Sequence, residues 1–371
     1  IVMLPLGVLW ARYWRRLALR STGQIYEERY GARAAPLFRA ISSVYGTFFG
    51  ICLMLGYVLR GFTQSMQPFL GVSPEYILLV FCGTTMLYTV LSGLVAIAYS
   101  DVVQFILVMT GRVLLAVLLL RAFGGLGAVL DKVDAVRGPG FLVPYPPTLG
   151  LSPEVAKATY GDFVIDPLSL VALLVFGLFM TANTQLAAAQ RALAAKNELH
   201  AAVGQVFNML LSLVIRAFPM ILIGLCAIAA FPKGRTDTDQ WADLVRAHVP
   251  PGLIGLLLVG IAAGYMSTLD GLVNFSAAGL MNDVFKRLIR PNATDREQVF
   301  FGRIASAIIL GVAYLWASVL IKKIDGGWIN FINSVTLLFM TPLMLLRWTW
   351  WRLNLWGEIV AFLASFPLTY A

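Results

Sequence analysis

The most constraining feature of the chain is the stretch 252–285. It is apolar enough to cross a lipid bilayer, yet it carries Gly264, Ser267, Thr268, Asp270, Gly271 and Asn274 at helical spacing. Residues three and four apart meet on one side of a helix, so these six share one broad face. Polar and ionisable groups are costly at membrane depth. Hydroxyls, a carboxylate and small residues gathered on one face of a span therefore point to a path for an ion or a solute.

Composition agrees. With 59% hydrophobic and 13% charged residues over 371 positions, the chain lacks the charge needed to cover a water-soluble domain of this size. The net charge of +9 sits in short basic segments between apolar spans, as the bias of Lys and Arg toward cytoplasmic loops expects. That pattern argues against nucleic acid as a partner. Cys52, Cys82 and Cys226 all fall inside apolar stretches without paired spacing, and His200 and His248 lie far apart. Neither set reads as a disulfide framework or a metal centre. No nucleophile, base or metal constellation indicates an enzyme.

A ruler of about twenty apolar residues per span divides the chain into segments at 1–14, 37–70, 76–98, 102–121, 167–186, 201–231, 252–285, 298–321, 328–346 and 355–371. The whole of 1–371 reads as a single transmembrane domain. If the connection after the first segment is cytoplasmic, the inner face collects Arg12, Arg15, Arg16, Arg20, Arg29 and Arg33, then Arg191 and Lys196, then Lys286, Arg287, Arg290 and Arg296, and finally Arg347 and Arg352. The opposite face holds fewer basic residues over longer loops, with Lys322 and Lys323 as the exception. Two long outer loops, 122–165 and 232–251, are expected to cap the bundle. The sequon at Asn292 falls on the inner side and is discounted. The chain begins at Ile1 inside an apolar stretch and stops at Ala371 before its last span closes, so it reads as part of a longer membrane protein.

Four stretches, in order along the chain, resemble those of the sodium:solute symporter family. Tyr26-Glu27-Glu28-Arg29-Tyr30-Gly31 is similar to its Glu-x-Arg-Tyr-Gly motif. Ser92-Gly93-Leu94-Val95-Ala96 with Tyr99-Ser100-Asp101-Val102-Val103-Gln104 resembles its Gly-x-x-Ala-x-x-x-Thr/Ser-Asp-x-x-Gln signature. Gln190-Arg191-Ala192-Leu193-Ala194-Ala195-Lys196-Asn197 resembles its Gln-Arg-x-Leu-Ala-Ala-Lys-Asp loop. Met266-Ser267-Thr268-Leu269-Asp270, followed by Asn282-Asp283-Val284-Phe285-Lys286-Arg287 and Pro291, resembles its most specific segment.

The resemblance implies an all-α membrane protein with a five-plus-five inverted-repeat, leucine-transporter-like helical bundle around a midplane site, here without the first core helix. It implies sodium-coupled symport of a small organic solute (a sugar, an amino acid or a carboxylate) by alternating access, with sodium as the coupling ion and no other cofactor. The location implied is the plasma (inner) membrane of the cell. A transporter-like sensor module fused to a signalling domain is the alternative the family leaves open. Oligomeric state is not readable.

By the same resemblance the sodium ligands are the Gly264 carbonyl and the hydroxyls of Ser267 and Thr268. Sodium is a hard cation, and neutral oxygens bind it weakly enough to release it in each cycle. Gly264 stands where many members have Ala. For the two hydroxyls, back-bonding to the preceding turn or interhelical bonding is the structural alternative. Asp101 and Asp270 are candidates for a second cation or for coupling, because an intramembrane carboxylate must be protonated, paired or cation-bound. Asp101 also reads as a helix N-cap or an inner-surface charge. Arg216 and Arg60 are candidate partners of these acids or snorkelling residues. Asn183 and Gln185, where the sixth core helix is expected to break, and Asn330 and Asn333 on the tenth are the solute-binding candidates. Ala187-Ala188-Ala189 replaces the aromatic gate that sugar-carrying members place before the Gln-Arg motif.

Overall fold

The computed structural model describes residues 3–31, 33–91, 94–137, 142, 185–231, 237–320, 343 and 346–370. In chain order these residues form α1 (Met3–Leu17), α2 (Ile25–Tyr30), α3 (Ala35–Leu70), α4 (Pro74–Leu91), α5 (Leu94–Ala122), α6 (Leu126–Arg137), α7 (Gln185–Ala194), α8 (Glu198–Ala230), α9 (Asp237–His248), α10 (Pro251–Ile289), α11 (Asp295–Val319) and α12 (Leu355–Tyr370). No strand occurs among the described residues. Lipid offers the backbone no hydrogen-bond partners, so spans satisfy themselves as helices.

Five helices are long and apolar enough to cross a bilayer: α3, α5, α8, α10 and α11. Large apolar side chains such as Leu79, Ile106, Phe207 and Ile221 lie on the outside of the bundle, where lipid tails would receive them. The first apolar segment forms α1, which at 15 residues is shorter than the roughly 20 a bilayer core requires. It packs Trp10 and Trp14 against Ala189 and Ala192 of α7 and Ala201 of α8. The expected segments 167–186 and 328–346 lie almost wholly outside the described residues. Of the first, only residues 185 and 186 appear, opening α7.

The central core unites α3, α4, α10 and α11 through Leu55, Leu59, Phe62, Phe81, Leu269, Val273, Ile309 and Leu310. Phe62 stacks on Phe81 with ring centroids 3.6 Å apart. A second core joins α5, α8 and α10 to the two helices found inside the expected outer loops. Val129 and Val133 of α6 and Leu244 and Val245 of α9 are buried against Leu115, Cys226 and Leu257. Those loops therefore carry packed helical caps.

The closest helix pairing that bears on the site is α5 with α10. A Cβ on Gly260 would lie 3.0 Å from the Leu107 carbonyl oxygen, and one on Gly264 would lie 3.2 Å from Val108 Cγ2. Two small residues four apart thus let the helices approach to backbone contact, the usual device of helix association in membranes. The expected division of the second apolar block between 98 and 102 is displaced. α4 ends at Leu91 and α5 begins at Leu94.

At the end of the bundle rich in arginine, α2 joins two buried polar networks. Arg39 of α3 donates to Asp283 of α10 at 2.7 Å, to Glu27 at 2.9 Å and to Ser21 at 3.0 Å. Ser21 in turn donates to Asp283, and Arg287 pairs with Glu27 at 2.9 Å. On the other side, Arg347 donates to Glu358 of α12 at 2.5 and 2.7 Å. Its guanidinium lies over the Tyr26 ring, 4.5 Å from the centroid. Thr294, from the discounted sequon, caps α11 in a reciprocal box with Glu297.

Candidate functional site

The close α5–α10 contact sets two sequence motifs face to face. Ser100, Asp101 and Gln104 come from α5, and Ser267, Thr268 and Asp270 from α10. Ser267 Oγ donates to Asp101 Oδ1 at 2.5 Å. Arg191 of α7 donates to the other carboxylate oxygen at 2.9 Å. Arg191 passes beside Gly271, where a Cβ would stand in ordinary contact, 3.7 Å from Arg191 Nη2. The neighbouring Gln190 ties α7 to the same helix by donating to Asn274 at 3.2 Å.

Asp101 lies inside α5, two turns from its start, because the helix begins at Leu94. The N-cap reading is therefore overturned. Its partner is Arg191, and neither Arg216 nor Arg60 forms an ion pair among the described residues. Thr268 Oγ1 donates to the Gly264 carbonyl at 3.0 Å, the expected back-bond. Gly264 and Thr268 share one continuous helix, so this carbonyl accepts both the backbone N–H and the hydroxyl of Thr268, which occupy its two lone pairs. The hydroxyl oxygens of Ser267 and Thr268 keep acceptor sites for a cation.

Asp270 separates from the others. It is fully buried and turned toward α4, where Thr89 Oγ1 donates to its Oδ1 at 2.6 Å. Its Oδ2 has no hydrogen-bond partner among the described residues, and neither has the nearby buried Gln104 Oε1. Tyr88 and Gln104 both stand within hydrogen-bonding reach of this carboxylate, and with the Gln104 amide turned over its NH2 donates to Asp270. Tyr88 of α4 hydrogen-bonds Ser100 beside it. The single stripe read from the sequence thus divides. Gly264, Ser267, Thr268 and Gly271 line a cavity, Asp270 faces the interior between helices, and Asn274 holds α7.

That cavity, of about 700 Å³, lies between α3, α5, α8 and α10. Val108, Arg112, Arg191, Arg216 and Tyr265 line it together with the stripe residues. Gln185 opens α7, with its side chain outside the described set, while Asn183, Asn330 and Asn333 lie outside the described residues altogether. Thr89, Tyr88 and Arg112 also belong to this site, and no motif in the sequence marks the first two. Arg112 did carry a signal, being a guanidinium in the interior of an apolar span. Among the described residues no group of three His, Cys, Asp or Glu could hold a metal. The donors gathered here are hydroxyls, a carbonyl and one carboxylate, which suit a hard monovalent cation.

A sequence profile of the sodium:solute symporter family matches residues 1–364. The chain is 26% identical to "Sodium/glucose cotransporter 2" of Rattus norvegicus, over 92% of this chain and 54% of that protein. It is 24% identical to "High-affinity proline transporter PutP" of Bacillus subtilis (strain 168), over 91% of this chain and 67% of that protein. The chain spans little more than half the length of the sugar cotransporters it matches. A solved structure of a Na+-coupled sialic acid symporter, in a substrate-bound outward-open state, superposes with a TM-score of 0.73 at 15% identity. The match covers 100% of this chain and 82% of that one. That likeness shows the leucine-transporter-like helical fold. Together with the five spanning helices, the family match identifies a multi-pass integral membrane protein, and this chain belongs to the sodium:solute symporter family.

Proposed function

We propose that this chain is the transport domain of a secondary active transporter that carries a small organic solute together with sodium by alternating access. The observation that supports this most is the position of Gly264, Ser267 and Thr268. These residues line a cavity between α3, α5, α8 and α10, and Ser267 Oγ meets the carboxylate of Asp101. Sodium held there would be stripped of most of its water by neutral oxygens, strongly enough to order the site and weakly enough to leave it. Asp101 supplies the negative charge for a second cation position, and Arg191 occupies that charge when the cation is absent. Asp270, fully buried against α4 with Thr89 as a donor, serves as the proton-binding or coupling carboxyl. Asn183, Gln185, Asn330 and Asn333 contribute to the solute site.

One sodium ion crossing about 100 mV releases roughly 2.3 kcal/mol. At about 1.4 kcal/mol per tenfold, that sustains roughly a 50-fold gradient of an uncharged solute before the sodium gradient is counted; a monoanionic solute crossing with one sodium carries no net charge and is driven by the sodium gradient alone. The inner or plasma membrane, which carries such a potential, is the location this reading requires. The test is uptake of labelled solutes into proteoliposomes containing the full-length protein, with sodium or choline outside. Sodium-dependent accumulation supports the proposal, and uptake indifferent to sodium overturns it.

A further inference from the structure

The described lining of the cavity includes three arginines and no Asp or Glu. Arg191 is paired with Asp101. Arg112 stands one turn beyond Val108 on α5, and Arg216 ends the π-helical stretch Leu211–Arg216 of α8. Neither makes a hydrogen bond or ion pair among the described residues. Arg112 is half-buried and Arg216 is exposed. Two guanidiniums bordering one cavity repel each other, and the half-buried one carries the cost of a charge within an apolar span. A sodium ion held by neutral oxygens on the same wall adds a further positive charge. Nothing in the described lining offsets that sum.

We infer that the cavity is completed by an anionic solute: a carboxylate-bearing organic molecule whose carboxylate is held by Arg112 and Arg216. A guanidinium presents a planar fork of donors that fits a carboxylate bidentately. The remaining lining around the pair, Phe105, Met109, Met220 and Ile223, is apolar and suits a compact hydrocarbon body. The same charge arithmetic supplies the coupling. The carboxylate offsets the field of the arginines that opposes sodium, and sodium strengthens the hold on the carboxylate. Each ligand therefore raises the affinity of the other by the same factor. Polar uncharged solutes gain nothing from the guanidinium pair.

This inference rests on the symport reading only for the identity of the coupled ion, and the experiment separates the two. Purified full-length protein is titrated with propionate, lactate and benzoate, and with the corresponding amides, in sodium chloride or choline chloride. Thermal stabilisation is read first, and competition with sodium-driven uptake second. At least one acid is expected to bind in sodium while its amide does not. Arg112→Gln and Arg216→Gln are each expected to weaken that acid about tenfold or more, with Arg112→Lys retaining part of the affinity. The lysine variant distinguishes a lost charge contact from a lost fold. Sodium-driven uptake of glucose or myo-inositol with no binding of any acid overturns the anion proposal and leaves symport intact. Binding of an acid that both glutamine variants leave unchanged also overturns it. Acid binding of equal strength in choline keeps the arginine site and contradicts the sodium coupling.

Discussion

Ser267 and Asp101, 166 positions apart in sequence, are joined by a hydrogen bond of 2.5 Å across the α5–α10 contact. The bond exists because Gly260 and Gly264 bring the two helices to backbone distance. It places the Asp101 carboxylate directly against a proposed sodium ligand. Asp101 is shared between two donors, Ser267 and Arg191, so a cation entering the site competes with a guanidinium for the same charge.

Asp101→Asn removes that charge while preserving shape. The expected outcome is a sodium requirement for uptake raised about tenfold or more, the loss of one charge-assisted contact. Half-saturating sodium in proteoliposome uptake checks it. Arg191→Gln is expected to move the sodium requirement in the opposite direction, because the competitor is gone.

Gly260→Leu forces a side chain against the Leu107 carbonyl, where even a Cβ would stand at 3.0 Å. Overpacking of this kind costs about 1–3 kcal/mol. The unfolding temperature of the detergent-solubilised protein should fall clearly. Gly255→Leu on the same helix, where a Cβ meets nothing within 4 Å, should leave it nearly unchanged.

Much of this arrangement was legible in the sequence, and the failures have physical causes. Hydrophobic length located α3, α8, α10 and α11 because those runs end in charges or prolines. The α4–α5 boundary was misplaced because apolar residues continue through it, and Asp101 consequently read as a cap. The α10 stripe was visible as a periodicity. Which neighbour each edge of it meets was not, so Asp270 and Ser267 read as sharing one face although one turns to α4 and the other to the cavity. Arg112 escaped notice because one arginine barely alters a long apolar run, whereas its lack of a partner appears only in three dimensions.

Arg347 and Glu358 test the buried ion pair at the arginine-rich end. Glu358 is fully buried, so Arg347→Met leaves a carboxylate without its cation, a change that costs about 3–5 kcal/mol. The double variant Arg347→Met, Glu358→Leu should recover much of that loss. A thermal or denaturant double-mutant cycle measures the difference.

Glu27 gives a pH dependence with a defined sign. Burial favours its neutral form, but hydrogen bonds from Arg287 and Arg39 outweigh burial and hold the carboxyl below its usual 4.5. A depressed folded-state value means the stabilisation is fully present above the unfolded value and lost as pH falls through the folded one. Glu27→Gln should therefore lower the unfolding temperature at pH 7, and the gap to the parent protein should close below about pH 4. Melting curves across pH 3 to 8 check it.

The most direct test of the central claim is equilibrium binding of radioactive sodium to the purified full-length protein. The account predicts saturable binding that Ser267→Ala with Thr268→Ala weakens at least about tenfold. Ser276→Ala, which removes a buried hydroxyl from the same helix, should leave it unchanged. Equal sodium affinity in the parent protein and the Ser267, Thr268 double variant would contradict the account.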